Sequence, residues 1–287
     1  MLPLGTESGE DDDPALARAR DGSYHLAWLS NRTGNAEIFA ARSADGLNWG
    51  KPVRVTNHDF QDWYPTLLQA SDGTFHLVWM RVTPPPNNFQ HLWYNRSVDG
   101  LTWDPSAEVQ ITTGAVNDFA PNLACDAEGN LLVFFSGAVR SKNGTSDLFV
   151  VRSLDKGTNW EEPRALSTLS TPTDMEVFPW VARRNDGSFM MVFSRHDSTR
   201  GANYFHAKWT LIWMSTAMSN PPKGEVVEID VDNRGQYPDG VTNWTDRIGA
   251  GGWSPRVVAT GTPSLYLMLS VCRVKGTAKI HSQIYKR

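Results

Sequence analysis

Arg42-Ser43-Ala44-Asp45-Gly46-Leu47-Asn48-Trp49 returns as Arg96-Ser97-Val98-Asp99-Gly100-Leu101-Thr102-Trp103, and again as Arg152-Ser153-Leu154-Asp155-Lys156-Gly157-Thr158-Asn159-Trp160. Ser43 to Ser97 is 54 positions, and Ser97 to Ser153 is 56. Recurrence at that period marks repeated supersecondary units stacked on one another. The local chemistry is that of a tight turn. The Asp carboxylate accepts from backbone N–H groups just ahead of it, Gly takes up the backbone strain, and Trp packs beneath.

A second template keeps the same period. Asp11-x-x-Pro14, Asp62-x-x-Pro65, Asp118-x-x-Pro121 and Glu176-x-x-Pro179 share it, and Gly252-Trp253-Ser254-Pro255 fits with the acid missing. Turn dipeptides follow the first four, at Asp21-Gly22, Asp72-Gly73, Glu128-Gly129 and Asp186-Gly187. Apolar runs come next, at Tyr24–Trp28, Phe75–Trp79, Leu131–Phe134 and Phe189–Phe193. A fifth, looser unit reads Arg256–Ala259, a turn at Thr260–Pro263, then Leu265–Val271. Short apolar runs joined by Asp-Gly turns predict antiparallel β-sheet and no helix.

The Ser-x-Asp-x-Gly-x-x-Trp pattern resembles the Asp-box, or bacterial neuraminidase repeat, of sialidases and related β-propellers. The third copy has the full spacing, and the first two lack one residue between Asp and Gly. The resemblance implies an all-β propeller with Asp-box turns. A sialidase-like enzyme would carry an arginine triad, a Tyr-Glu nucleophile pair and an Asp acid/base, and Arg256 is placed to stand for one triad member. Glycosidases of the arabinanase type are also similar, with three acids on inner strands of different blades. Asp11, Asp62 or Asp118, and Glu176 fit that arrangement.

Successive Pro positions lie 51, 56, 58 and 76 residues apart, and 32 residues follow Pro255. That remainder is too short for a full four-stranded unit, so the expectation is a five-bladed β-propeller as a single domain over residues 1–287. The ring would be closed by pairing of the N- and C-terminal segments, which removes exposed edges. The long interval holds Ser194–Asn203 and the polar stretch from Ile229 to Gly252. Insertions in a repeat array gather on one face, either as a binding surface or as decoration of the rim.

In an up-and-down blade the Asp-Gly turns and the Asp boxes share one side. The longer connections Asn57–Tyr64, Val82–Asn88, Gly137–Thr145 and Thr171–Glu176 share the other, at the mouth of the central channel. Asp11, Asp62, Asp118 and Glu176 open the innermost strands there. One reading is catalytic, because glycosidases use paired carboxyl groups and crowding raises the pKa of one of them. Glu176, Asp62 and Asp118 are then the catalytic candidates, and Glu176 stands out because it breaks the Asp pattern beside the long insertion. The other reading is that each acid binds local N–H groups where its strand begins. Asp11, Trp63, Tyr64, Arg195, Trp253 and Arg256 are candidate substrate-binding residues: flat rings stack on sugars, and guanidinium groups hold carboxylates in bidentate fashion.

Composition narrows the partners. A net charge of −4 gives no basic footprint for nucleic acid. No apolar run approaches the ~20 residues of a membrane span. The start Met1-Leu2-Pro3-Leu4-Gly5 lacks the pattern of a signal peptide, so the expectation is a cytoplasmic protein or one whose leader was removed. The seven His show no ligand spacing, and His25 and His76 hold matching strand positions, which points to packing. No metal or cofactor is expected. Cys125 and Cys272 read as two buried thiols, with a disulfide the alternative. Three functions remain in contention: a sialidase-like glycoside hydrolase, a glycan-binding propeller without turnover, and a protein-interaction scaffold.

Overall fold

The computed structural model describes residues 9–138, 146–166, 174–183, 189–197, 208–216, 223–229, 256–259, 265–274 and 277–286, with Ser194 onward described by backbone pairing alone. The described chain is all-β. Its one helical turn is a 3-10 turn at Pro105–Ala107, capped by Asp104, which accepts from the Ser106 N–H. Among the described residues no helix is long and apolar enough to cross a membrane.

The strands form five sheets in chain order. The first holds β1 (Asp11–Arg18), β2 (Tyr24–Ser30), β3 (Glu37–Ser43) and β4 (Val53–Arg54). The second holds β5 (Gln61–Gln69), β6 (Phe75–Val82), β7 (Gln90–Ser97) and β8 (Val109–Gln110), and the third β9 (Asp118–Cys125), β10 (Leu131–Gly137), β11 (Asp147–Ser153) and β12 (Arg164–Ala165). The fourth holds β13 (Asp174–Arg183), β14 (Phe189–Asp197), β15 (Lys208–Thr216) and β16 (Lys223–Ile229). The last has three strands, β17 (Arg256–Ala259), β18 (Leu265–Val274) and β19 (Thr277–Lys286). Each expected strand falls inside an observed one. Gly22, Gly73 and Gly129 take φ of 86°, 92° and 87°, as their turns require.

The chain divides into two compact units, Met1–Val133 with Val150–Pro163, and Phe134–Phe149 with Arg164–Arg287. In the first, β6 buries seven consecutive residues from Phe75 to Arg81, so both faces of its sheet are covered and the in-out alternation of a half-buried strand vanishes. Ala15, Ala17, Ile38, Ala40, Leu67, Leu77, Trp79 and Trp103 form one core cluster there. Small Ala side chains on β1 and β3 leave room for the Trp rings. The Cys125 thiol is half-buried and donates to the Asp126 carbonyl at 3.4 Å.

The box turns are built as their residues dictate. Asp45 accepts from the Leu47 and Asn48 N–H groups at 2.8 and 2.7 Å, and the Gly46 N–H donates to Ser43 Oγ at 2.8 Å. Asp99 accepts from Leu101 and Thr102 at 2.8 and 2.7 Å. In the third box the extra residue, Lys156, sits at φ 60° and Asp155 accepts from the Asn159 N–H at 2.8 Å. These bonds favour the charged carboxylate. The Asn159 N–H holds Asp155 down at about 2, and Asp45 is lowered most by the Asn48 N–H. At Asp99 burial pulls upward, but the Thr102 and Leu101 N–H groups win and leave it at about 2.

Because these pKa values lie below those of the unfolded chain, the boxes stabilise the fold fully above about pH 4, and that contribution is lost as pH falls through about 2. Thermal melts should therefore lose stability across that window. The combined Asp99→Asn, Asp155→Asn variant should show a shallower loss, and an unchanged slope would contradict the account.

Gly157 packs on the ring of Tyr94 from β7, where a Cβ would overlap the phenol oxygen. The Tyr94 hydroxyl also lies 2.8 Å from His76 Nδ1 and donates to the Lys156 carbonyl at 3.2 Å. Burial pushes the His76 imidazole down to about 4, so it packs neutral, and the His25 ring lies 4.2 Å from that of Phe75. Gly157 combines this overlap with φ 89°, so Gly157→Ala should cost about 2–4 kcal/mol in urea denaturation. Gly46→Ala meets only the flexible edge of Tyr24 at 3.4 Å and should cost about 1 kcal/mol.

Candidate active site

Each recurring acid stands where its strand begins. Asp11 and Asp118 are the first residues of β1 and β9, Asp62 is the second of β5, and Glu176 the third of β13. Two residues after each acid the backbone turns left-handed, at Asp13 (φ 50°), Tyr64 (φ 53°), Ala120 (φ 50°) and Phe178 (φ 58°). The strand pairing shifts register there, between Asp12 and Ala15, Trp63 and Thr66, and Val177 and Trp180. The Pro then resumes the extended strand. A β-bulge of this kind re-aims the side chains ahead of it. Four non-glycine residues in that region mark a repeated constraint, because left-handed backbone is costly for L-residues.

In the first unit, β5 packs against both β1 and β9. The Asp62 N–H donates to the Ala36 carbonyl at 2.9 Å, tying its strand to the preceding sheet. Asp11 is partly exposed; it accepts from Arg32 Nη2 at 2.7 Å and Trp28 Nε1 at 3.0 Å. Burial pulls its carboxyl upward, and the Ser30, Arg32 and Trp28 donors outweigh that and leave it lowered. Asp118 is fully buried. Trp63 and Tyr64 are half-buried with ring centroids 6.5 Å apart. Burial, then the charges of Asp13 and Asp12, push the Tyr64 hydroxyl up to about 12.

Asp62 is fully buried and receives both Nε and Nη2 of Arg81, at 2.7 and 2.9 Å. Arg81 is its Cα partner on β6, and the guanidinium lies over the Trp93 and Trp79 rings at 4.5 and 5.5 Å. Its remaining arm, Nη1, donates to Glu108 Oε2 at 2.8 Å, and His58 Nε2 reaches that same oxygen at 3.0 Å. Burial pushes the Asp62 carboxyl up, and Arg81 pulls against it. Beside this chain, the fully buried Glu37 pairs with Arg54 at 2.9 Å and accepts from the His58 N–H at 3.0 Å.

In the second unit Glu176 is fully buried, and its N–H donates to the Ser146 carbonyl at 2.8 Å. This repeats the tie that Asp62 makes to Ala36. Arg195 is the Cα partner of Glu176 across β13 and β14, as Arg81 is of Asp62. Arg256 opens β17. Trp253, the turns at Asp186-Gly187 and Thr260–Pro263, and most of the long insertion lie outside the described residues.

Sequence reasoning named the acids but missed Arg81, Glu108, His58 and Glu37. One signal was available: Arg81 directly continues the apolar run Phe75–Met80, and a charge in a strand buried on both faces demands a buried counter-charge. Among the described residues no group of His, Cys, Asp and Glu is arranged to hold a metal ion.

No family model matches the sequence, and no curated protein matches it. Solved structures do resemble the fold. An α-L-arabinanase from Penicillium chrysogenum, solved with arabinobiose, superposes with a TM-score of 0.67 at 17% identity, covering 97% of this chain and 80% of that one. An endo-arabinase from Bacteroides thetaiotaomicron VPI-5482 gives 0.60 at 15%, covering 96% and 93%. A Hadza microbial sialidase gives 0.59 at 16%, covering 91% of this chain and 53% of its own. At these identities the likeness concerns architecture, and the chain has the all-β fold shared by these β-propeller glycoside hydrolases.

Proposed function

We propose that the chain is a sialidase-like glycoside hydrolase whose five sheets are the blades of a ring, closed by its terminal segments, with Asp-box turns on the far side. The sugar binds at the channel mouth. Glu176 serves as base or nucleophile and Asp62 or Asp118 as acid, while Asp11, Trp63, Tyr64, Arg195, Trp253 and Arg256 hold the substrate. The observation that carries this reading is the acid near the start of the first strand in four sheets, with Asp62, Asp118 and Glu176 wholly removed from water. Burial raises the Asp62 carboxyl, the direction a proton donor at neutral pH requires.

Asp11 and Asp62 already spend oxygen atoms on Arg32, Trp28 and Arg81, and this favours a second reading, a glycan-binding propeller without turnover. A panel of chromogenic glycosides containing arabinosides and sialosides, run beside a glycan array, separates the two. Release of chromophore supports the hydrolase, and saturable binding without release supports the lectin. Asp62→Asn and Asp118→Asn then identify the acid, as the variant that loses turnover on substrates with poor leaving groups.

A further inference from the structure

Three carboxylates and two guanidiniums meet where the first two sheets join. Glu37, Asp62 and Glu108 have side chains 0%, 0% and 4% exposed, and Arg81 is 2% exposed. Arg54 and His58 reach water, at 31% and 33%. Glu37 comes from β3, Arg54 from β4, Asp62 from β5, Arg81 from β6 and Glu108 from the residue before β8, with His91 of β7 the Cα partner of Arg81. Asp59 adjoins His58 in the chain, and the Phe60 ring stacks on the imidazole at 6.3 Å.

His58 reaches into this group, with its Nε2 3.0 Å from Glu108 Oε2. Its Nε2 must donate to Glu108 Oε2, since a carboxylate only accepts. That oxygen also accepts from Arg81, whereas Glu108 Oε1 is buried with no partner. Glu108 therefore draws on the guanidinium that Asp62 needs, and the N–H that His58 donates to the same oxygen offsets that pull.

We propose that His58 and Glu108 are positioning residues which act through Arg81 to set how firmly Asp62 holds its proton. The solvent-facing imidazole thereby tunes a carboxyl that water does not reach. The consequence for turnover rests on the hydrolase reading above; the electrostatic coupling does not.

The two residues pull on Arg81 in opposite senses, so the test has two signs. Carboxyl-carbon NMR titration of 13C-labelled protein reads the Asp62 midpoint directly. The signal is assigned by its loss in Asp62→Asn or, if that variant does not fold, by correlation through the backbone. Glu108→Gln removes a negative neighbour and should lower the midpoint. His58→Ala removes a donor that Glu108 shares with Arg81, throws Glu108 more fully onto the guanidinium and should raise it, each by about half a pH unit or more. Midpoints that stay put, or that move the same way in both variants, overturn the proposal. If both midpoints move as stated while Asp62→Asn still releases sugar normally, the coupling stands and the catalytic role of Asp62 falls.

Discussion

Glu176→Gln is expected to lower kcat/KM on whichever glycoside is turned over by about 10²–10⁴-fold, the range for loss of a positioned base or acid. The substitution keeps the shape of a fully buried side chain and leaves the Glu176 N–H on the Ser146 carbonyl. Circular dichroism and Tm should therefore stay close to those of the parent. Restoration of part of the rate by added azide or formate would identify Glu176 as base or nucleophile, since a small anion replaces a missing carboxylate but not a missing proton donor. An unchanged rate on a substrate the parent cleaves would remove Glu176 from the chemistry.

Arg81→Met should be the most damaging single change to stability, at about 3–5 kcal/mol in urea denaturation. The methionine fills part of the space between Trp79 and Trp93 but leaves Asp62 and Glu108 as buried carboxylates without their cation. Most of the penalty belongs to those stranded charges. Adding Asp62→Asn and Glu108→Gln to Arg81→Met should recover a large share of it. A loss under about 1 kcal/mol for the single variant would put the pair in the energetic class of exposed surface bridges and contradict its burial.

Much of the fold was legible because its signals are local. A Ser, an Asp and a Gly within a few residues are enough to make the box turn, and Asp-Gly or Glu-Gly turns flanked by apolar runs located β2, β6 and β10. The Asp-x-x-Pro template placed the starts of β1, β5 and β9 within a residue. What stayed hidden is of two kinds. The left-handed backbone at Tyr64, Ala120 and Phe178 has no sequence signature, because none of these residue types prefers it and the surrounding pairing imposes it. Two-residue strands such as β4 and β8 are too short to show any period. The charged chain is illegible for a different reason. His58 lies 50 residues from Glu108 and Arg81 lies 27 from it, so only the folded chain reveals the pairing.

The register shift ahead of Pro14, Pro65 and Pro179 gives β1, β5 and β13 two independent phases. From Pro65 onward the strand is placed by what the core must bury, with Pro65, Thr66 and Leu67 all inside. Ahead of Tyr64 the count begins afresh, so the direction of Asp62 owes nothing to that demand. Deleting one residue between Asp62 and Pro65 would leave the hydrophobic interior in place and swing the carboxylate to the opposite side of the ribbon. The side-chain direction of Asp62 and the packing of Leu67 are thus set on opposite sides of one irregularity in the strand.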